Sequence, residues 1–212
     1  MGRIPQKRAT RGSQHWLQQL VEGQSAVLDD AIGLGPLHWL SPLAEDAYSE
    51  YQDRAFLNRL GVQLTHRPLT SFWPRGGPVW DGLALTSSGR CVLVEAKSHR
   101  SEMASTSKAS ERSRAMIAEA LRETQRGLGI NGIGVWLDGF YQYANRLAHA
   151  YLLNELNAVP AELVFVYFVG DADMQGPASR REWQAVISAV HEQLGITGRV
   201  PPYVRDVFVD VG

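Results

Sequence analysis

The chain has 212 residues, of which 44% are hydrophobic and 20% charged, and its formal net charge is −1. That length suits one domain of about 150–200 residues with extensions, and the six tryptophans and the apolar fraction argue against disorder. The lone cysteine, Cys91, excludes a disulfide framework, and no Cys/His spacing resembles a zinc site. No apolar run approaches the roughly 20 residues that span a bilayer, and the near-neutral charge gives no global signature of nucleic-acid binding.

In chain order, residues 1–14 read as a flexible basic arm carrying Arg3, Lys7, Arg8 and Arg11. No apolar core follows it, so it does not read as a secretory signal, and a cytoplasmic location is the expectation. Residues 15–212 read as a single domain. His15–Leu28 has helical apolar spacing, and a Gly/Pro turn follows. Ser41 as N-cap with Pro42 at the first helical position predicts a helix ending near Gly61. Val62–His66, Val79–Leu85 and Arg90–Lys97 read as strands, with a Pro/Gly/Trp-rich loop at Ser71–Pro78 between the first two. Ser98–Ala109 reads as a mobile polar loop, and helices follow at about Ser110–Arg126 and Asp138–Asn157. Leu163–Val169 is a continuous apolar run, the pattern of a buried strand. A helix at Ala178–Leu194 and an edge-like strand at Tyr203–Val211 close the chain. This order predicts an α/β (α+β) domain with a mixed central sheet.

The chemistry concentrates in Trp80-Asp81-Gly82-Leu83-Ala84-Leu85 and Cys91-Val92-Leu93-Val94-Glu95-Ala96-Lys97. A hairpin around Ser87-Ser88-Gly89 is a favoured geometry, because the last loop residue needs positive φ. It sets Leu85 opposite Cys91, Leu83 opposite Leu93 and Asp81 opposite Glu95. The strand period of two then puts Asp81, Glu95 and Lys97 on one face. Two facing carboxylates repel unless a cation joins them, and Mg²⁺ takes one or two carboxylates plus waters and phosphate oxygens. The Ala96 carbonyl could add one oxygen, and Lys97 could orient or deprotonate a water. These are parts for phosphodiester hydrolysis. The plainer alternative is a surface salt-bridge cluster at a strand end.

Asp81, thirteen intervening residues and then Glu95-Ala96-Lys97 resemble the PD-(D/E)XK nuclease-like superfamily, whose sheet hairpin carries Asp followed by Glu-x-Lys. The resemblance spans Ser41 to Val169, about 130 residues, with two helices where the minimal αβββαβ core has one. Trp80 rather than proline precedes Asp81. The resemblance implies a helix-flanked αβββαβ sheet with a C-terminal helix and strand added. It also implies a divalent-metal-dependent nuclease with Mg²⁺ or Mn²⁺ at Asp81, Glu95 and the Ala96 carbonyl, and with Lys97 beside the attacking water. DNA or RNA is the implied partner, with no membrane and with a homodimer left open. The rival reading is an inactive member of the fold that serves as a binding or scaffold module.

Family members often add a carboxylate from the helix before the first strand, and here Glu50 borders that helix's apolar stripe. Its plainer role is a solvated charge paired with Arg54. The polar face Gln142, Asn145, Arg146 and His149 lies on the helix before the buried strand. Gln142 is carried over from the resemblance, and Arg146 is assigned to phosphate on chemical grounds. A solvated polar face is the alternative. Lys108, Arg112 and Arg114 follow the serine-rich loop and could track a phosphate backbone, although Glu102, Glu111, Glu119 and Glu123 dilute them. Trp73 and Trp80 read as core aromatics rather than base-stacking platforms, with Trp80 pointing away from the Asp81 face. Gly127-Leu128-Gly129-Ile130-Asn131-Gly132 matches a dinucleotide fingerprint in letters only, since it follows a helix. Ser105-Thr106-Ser107-Lys108 lacks the partner motifs of a β-lactamase.

Overall fold

The computed structural model describes residues 2–130, 136–198 and 200–212. The fold is mixed α/β. Its elements are β1 (Arg3–Ile4), α1 (Gly12–Gly23), α2 (Ser25–Ile32), β2 (Leu37–Ser41), β3 (Glu50–Tyr51), α3 (Asp53–Leu60), α4 (Leu69–Phe72), β4 (Gly82–Thr86), β5 (Cys91–Lys97), α5 (Glu111–Gly127), α6 (Tyr141–Asn157), β6 (Ala161–Val169), α7 (Arg180–Gln193) and β7 (Val204–Asp210). The main sheet has the order β2-β4-β5-β6-β7, antiparallel across the first three strands and parallel across the last three. β1 and β3 form a separate two-stranded ribbon.

Alternation along the strands divides the core between the two sheet faces. Leu83, Leu93, Phe165 and Tyr167 meet Leu147 and Leu152 of α6 on one face. Ala84, Val92, Val94 and Val166 meet Leu17 and Leu20 of α1 on the other. All nine residues of β6 are buried, as its unbroken apolar sequence requires of a central strand covered on both sides. The β4–β5 register sets Leu85 opposite Cys91 and Leu83 opposite Leu93. Gly89 closes the loop with φ of 78° and donates its N–H to the Thr86 carbonyl.

The αβββαβ order is present, but its first helix and first strand lie earlier in the chain than the sequence suggested. α1 and α2 supply the helical layer and Leu37–Ser41 the first strand. Ser41 ends an edge strand rather than capping a helix, because Pro42 has no N–H to extend the ladder. Between Leu43 and Leu60 the chain makes a 3₁₀ turn, then reverses through Ala47 (φ 50°) and Tyr48 (φ 46°), and becomes α-helical only at Asp53. Val62–His66 is not a strand. Val62 N–H caps α3 at the Leu57 carbonyl, and His66 N–H bonds the Asn157 side chain at the end of α6.

The segment expected to be a flexible arm is tied down instead. Arg3 and Ile4 pair with Tyr51 and Glu50, Arg3 is ion-paired with Asp46, and Ala9 N–H bonds Gln18 of α1. The serine-rich loop is tied as well. Ser105 N–H bonds the Gly139 carbonyl, and Tyr141 N–H bonds the Ser105 carbonyl. Asn131 and Gly132 of the fingerprint-like stretch lie outside the described residues.

Candidate active site

β5 carries Glu95 and Lys97 toward α6, while Ala96 between them packs against α1. Asp81 sits one residue before β4, and its Oδ2 accepts the Ala96 N–H at 2.8 Å. The Asp81 carboxylate is thereby anchored at the strand end beside Glu95. Lys97 Nζ donates to Glu95 Oε1 at 2.5 Å and to Gln142 Oε1 at 3.2 Å. From α6, Arg146 Nε donates to Glu95 Oε2 at 2.7 Å. Arg146 also donates to the Val79 carbonyl at 2.7 Å and to Asn145 Oδ1 at 2.8 Å, and its guanidinium lies over the Trp80 ring, 5.0 Å from the centroid.

These groups line two adjoining hollows. The larger, of ≈ 1110 Å³, lies between the Pro74–Val79 loop and the Ala104–Ser110 loop, with Asp81, Gln142 and Glu50 on its floor and walls. The smaller, of ≈ 330 Å³, is lined by Asp81, Glu95, Lys97, Glu102 and Gln142 among others. Both loops are fixed from behind. Asp53 accepts the N–H groups of Gly76 and Gly77, and Ser105 Oγ accepts the first-turn N–H of Gln142. Gly77 cannot carry a larger side chain easily, since a Cβ there would crowd Asp53 and His149. The exposed Arg75 is thus held at the rim of the larger hollow, across from Lys108.

The carboxylates differ electrostatically. Burial, reinforced by Glu95 and Glu50, pushes the Asp81 carboxyl well above the usual range, with Lys97 opposing. Burial also raises Glu95, but Arg146 and Lys97 overcome it and hold that carboxyl below its ordinary value. Burial raises Glu50 as well, against hydrogen bonds from Gln14 and Gln6. Glu95 is therefore the committed anion of the group, and Asp81 is the carboxylate short of positive charge.

Asp81, Glu95, Lys97, Gln142 and Glu50 thus come together, but Glu50 arrives differently from expectation. It belongs to β3, not to a helix, and Gln6 Nε2 and Gln14 Nε2 donate to its two oxygens at 2.8 and 2.9 Å. The polar face of α6 is not solvated. Asn145, Arg146 and His149 are all buried, and His149 sits among Phe56, Phe72, Trp73 and Trp80. Arg146 lines the larger hollow, but each of its three nitrogens already bonds within the chain, to Glu95, Asn145 or Val79, so it is not a free phosphate contact. Lys108 lines the larger hollow, whereas Arg112 is exposed and lines neither. Trp80 turns toward α6 rather than away, and it is fully buried with Trp73.

Four contributors went unread in the sequence. Arg75 had a local signal, a cation within a Pro/Gly loop. Glu102 follows Lys97 by five residues and caps the backbone N–H groups of Ser98 and His99. Gln6 and Gln14 left no local trace of their bond to Glu50.

Among the described residues no three His, Cys, Asp or Glu side chains form a ready metal cage. The donor set still suits a hard cation that keeps most of its waters, since Asp81 and Glu95 adjoin at one strand end beside the Ala96 backbone. Compared with protein-family models, with curated proteins and with solved structures, the chain gives no significant match. No helix among the described residues is long and apolar enough to cross a membrane.

Proposed function

We propose that this chain is a divalent-metal-dependent nuclease of the PD-(D/E)XK-like kind, acting on phosphodiester bonds of DNA or RNA. The observation that carries the reading is the convergence of Asp81, Glu95 and Lys97 at the floor of a polar cleft, with Gln142 bonded to Lys97. Asp81, Glu95 and the Ala96 carbonyl would hold Mg²⁺ or Mn²⁺, which when bound supplies Lewis acidity and lowers the pKa of a coordinated water. Gln142 and Glu95 hold the Lys97 ammonium facing the smaller hollow, where it can orient a water and meet charge developing on a phosphate. Glu50, clamped by Gln6 and Gln14, borders the larger hollow with Asp81, where it would accept from a water. Arg75 and Lys108 present cations from opposite loops to a polyanion.

The test is cleavage of labelled single- and double-stranded DNA and RNA with Mn²⁺ or Mg²⁺, comparing the full chain with Asp81→Asn and Lys97→Met. The expected result is metal-dependent cleavage that falls about a hundredfold or more in either variant. One observation favours a second reading, a binding module without turnover: both oxygens of Glu95 are already engaged by cations of the chain. That reading requires nucleic-acid binding without cleavage, unaffected by either substitution.

A further inference from the structure

We infer that Arg146 is a built-in competitor for the divalent cation, so that metal loading requires Arg146 to release Glu95. The inference rests on the metal site proposed above. Glu95 Oε2 accepts from Arg146 Nε at 2.7 Å, and Nη2 of the same guanidinium lies 2.6 Å from that oxygen. Glu95 Oε1 accepts from Lys97 at 2.5 Å. A cation at an ordinary Mg–O distance of about 2.1 Å would have to share an oxygen with one of these groups. Of the two, Arg146 is the one whose presence a metal site does not explain. Lys97 has a place beside the water, whereas Arg146 supplies only charge and a hydrogen bond to the carboxylate.

The guanidinium is also built to stay. Its contacts to Val79, Asn145 and the Trp80 ring hold it from three sides, and it is 3% exposed. A second cation on Glu95 would meet that fixed charge at close range in a poorly screened setting. Asp81, by contrast, has one oxygen bonded to Ala96 and borders both hollows. Its open side makes it the first contact for a cation, with Glu95 joining only as Arg146 withdraws. Arg146 therefore sets the affinity, and the wild-type site is a weak one.

Calorimetric Mn²⁺ titration of the full chain tests this, comparing wild type with Arg146→Met, Glu95→Gln and the Arg146→Met/Glu95→Gln double variant. The expected result is binding at least tenfold tighter in Arg146→Met, with the gain abolished in the double variant. Equal affinity in wild type and Arg146→Met overturns the inference and leaves the metal site standing. So does a gain that survives the loss of Glu95. No binding in any form overturns the metal site and the inference together. Should Arg146→Met fail to fold, the wild type answers alone, through the assigned NMR signal of the Arg146 Nε–H during Mg²⁺ titration. The expected result is loss of its protected, hydrogen-bonded position as the Asp81 amide signal shifts. An unmoved Arg146 signal beside a shifting Asp81 signal overturns the inference, and two unmoved signals overturn the metal site with it.

Discussion

Arg146 Nε of α6 and Glu95 Oε2 of β5 stand 2.7 Å apart, and their residues are 3% and 2% exposed. Lys97, 7% exposed, closes the other side of the same carboxylate. One buried anion thus balances two buried cations. Removing it strips both cations of the anion they are bonded to, whereas removing anion and guanidinium together leaves a smaller imbalance. Glu95→Gln is expected to lose about 3–5 kcal/mol of unfolding free energy in urea titrations. The Glu95→Gln/Arg146→Met double variant is expected to lose less than Glu95→Gln alone. Losses that simply add would show that the pair is not energetically coupled.

Asp81 presents the opposite economy. Its carboxylate sits beside Glu95 and Glu50, and burial adds to their repulsion. Asparagine keeps an oxygen for the Ala96 N–H while removing the charge. Asp81→Asn should therefore melt higher than wild type in EDTA near neutral pH, yet gain nothing from added Mn²⁺, which should raise the wild-type melting temperature. Melting curves with and without metal read both effects. A variant that melts lower in EDTA would show that the site residues are placed for stability rather than function.

The hairpin was legible because its information is local. Alternation fixes which residues share a face, and a three-residue loop ending in Gly89 fixes which residues oppose one another. The first strand was not. Leu37–Ser41 is a short edge strand, and the Ser41-Pro42 pair that ends it has the same letters as a helix N-cap followed by proline. The reversal at Ala47 and Tyr48 uses positive φ without glycine, so no letter announces the break that carries Glu50 to the site from β3. The partner of Arg146 was illegible for a chemical reason. A guanidinium matches a carboxylate and a phosphate equally well, and only the fold, by setting Arg146 against a residue 51 positions away, decides between them.

His149 makes the fold sensitive to acid. Its Nδ1 lies 2.8 Å from the Asn145 carbonyl, its ring is enclosed by four aromatic side chains, and burial pulls its pKa from 6.5 down to about 3. A histidine depressed on folding contributes stability that is complete above the unfolded value and is lost as pH falls toward the folded one. Wild type should lose about 1.4 kcal/mol per pH unit below 6.5 through this group. His149→Gln should be less stable at pH 7 but show a shallower decline between pH 6.5 and 5. His191, also lowered by burial, titrates with the same sign, so the difference between wild-type and variant slopes in urea titrations is the quantity to read. Parallel slopes would mean that His149 is protonated without cost.

Asp206 on β7 works in the other direction. Its Oδ1 is buried without a hydrogen bond, and burial pushes the carboxyl from 3.8 up to about 6, with the Tyr167 hydroxyl only partly opposing. An acid raised on folding contributes stability that is complete below its unfolded value and is lost as pH rises through the folded one. Wild type and Asp206→Asn should therefore be nearly equal at pH 4 and diverge above it. By pH 8 the variant should be the more stable by up to about 3 kcal/mol. Urea unfolding at pH 4, 6 and 8 measures the divergence. An offset of the same size at all three values would assign the effect of the substitution to packing against Tyr167 rather than to the charge.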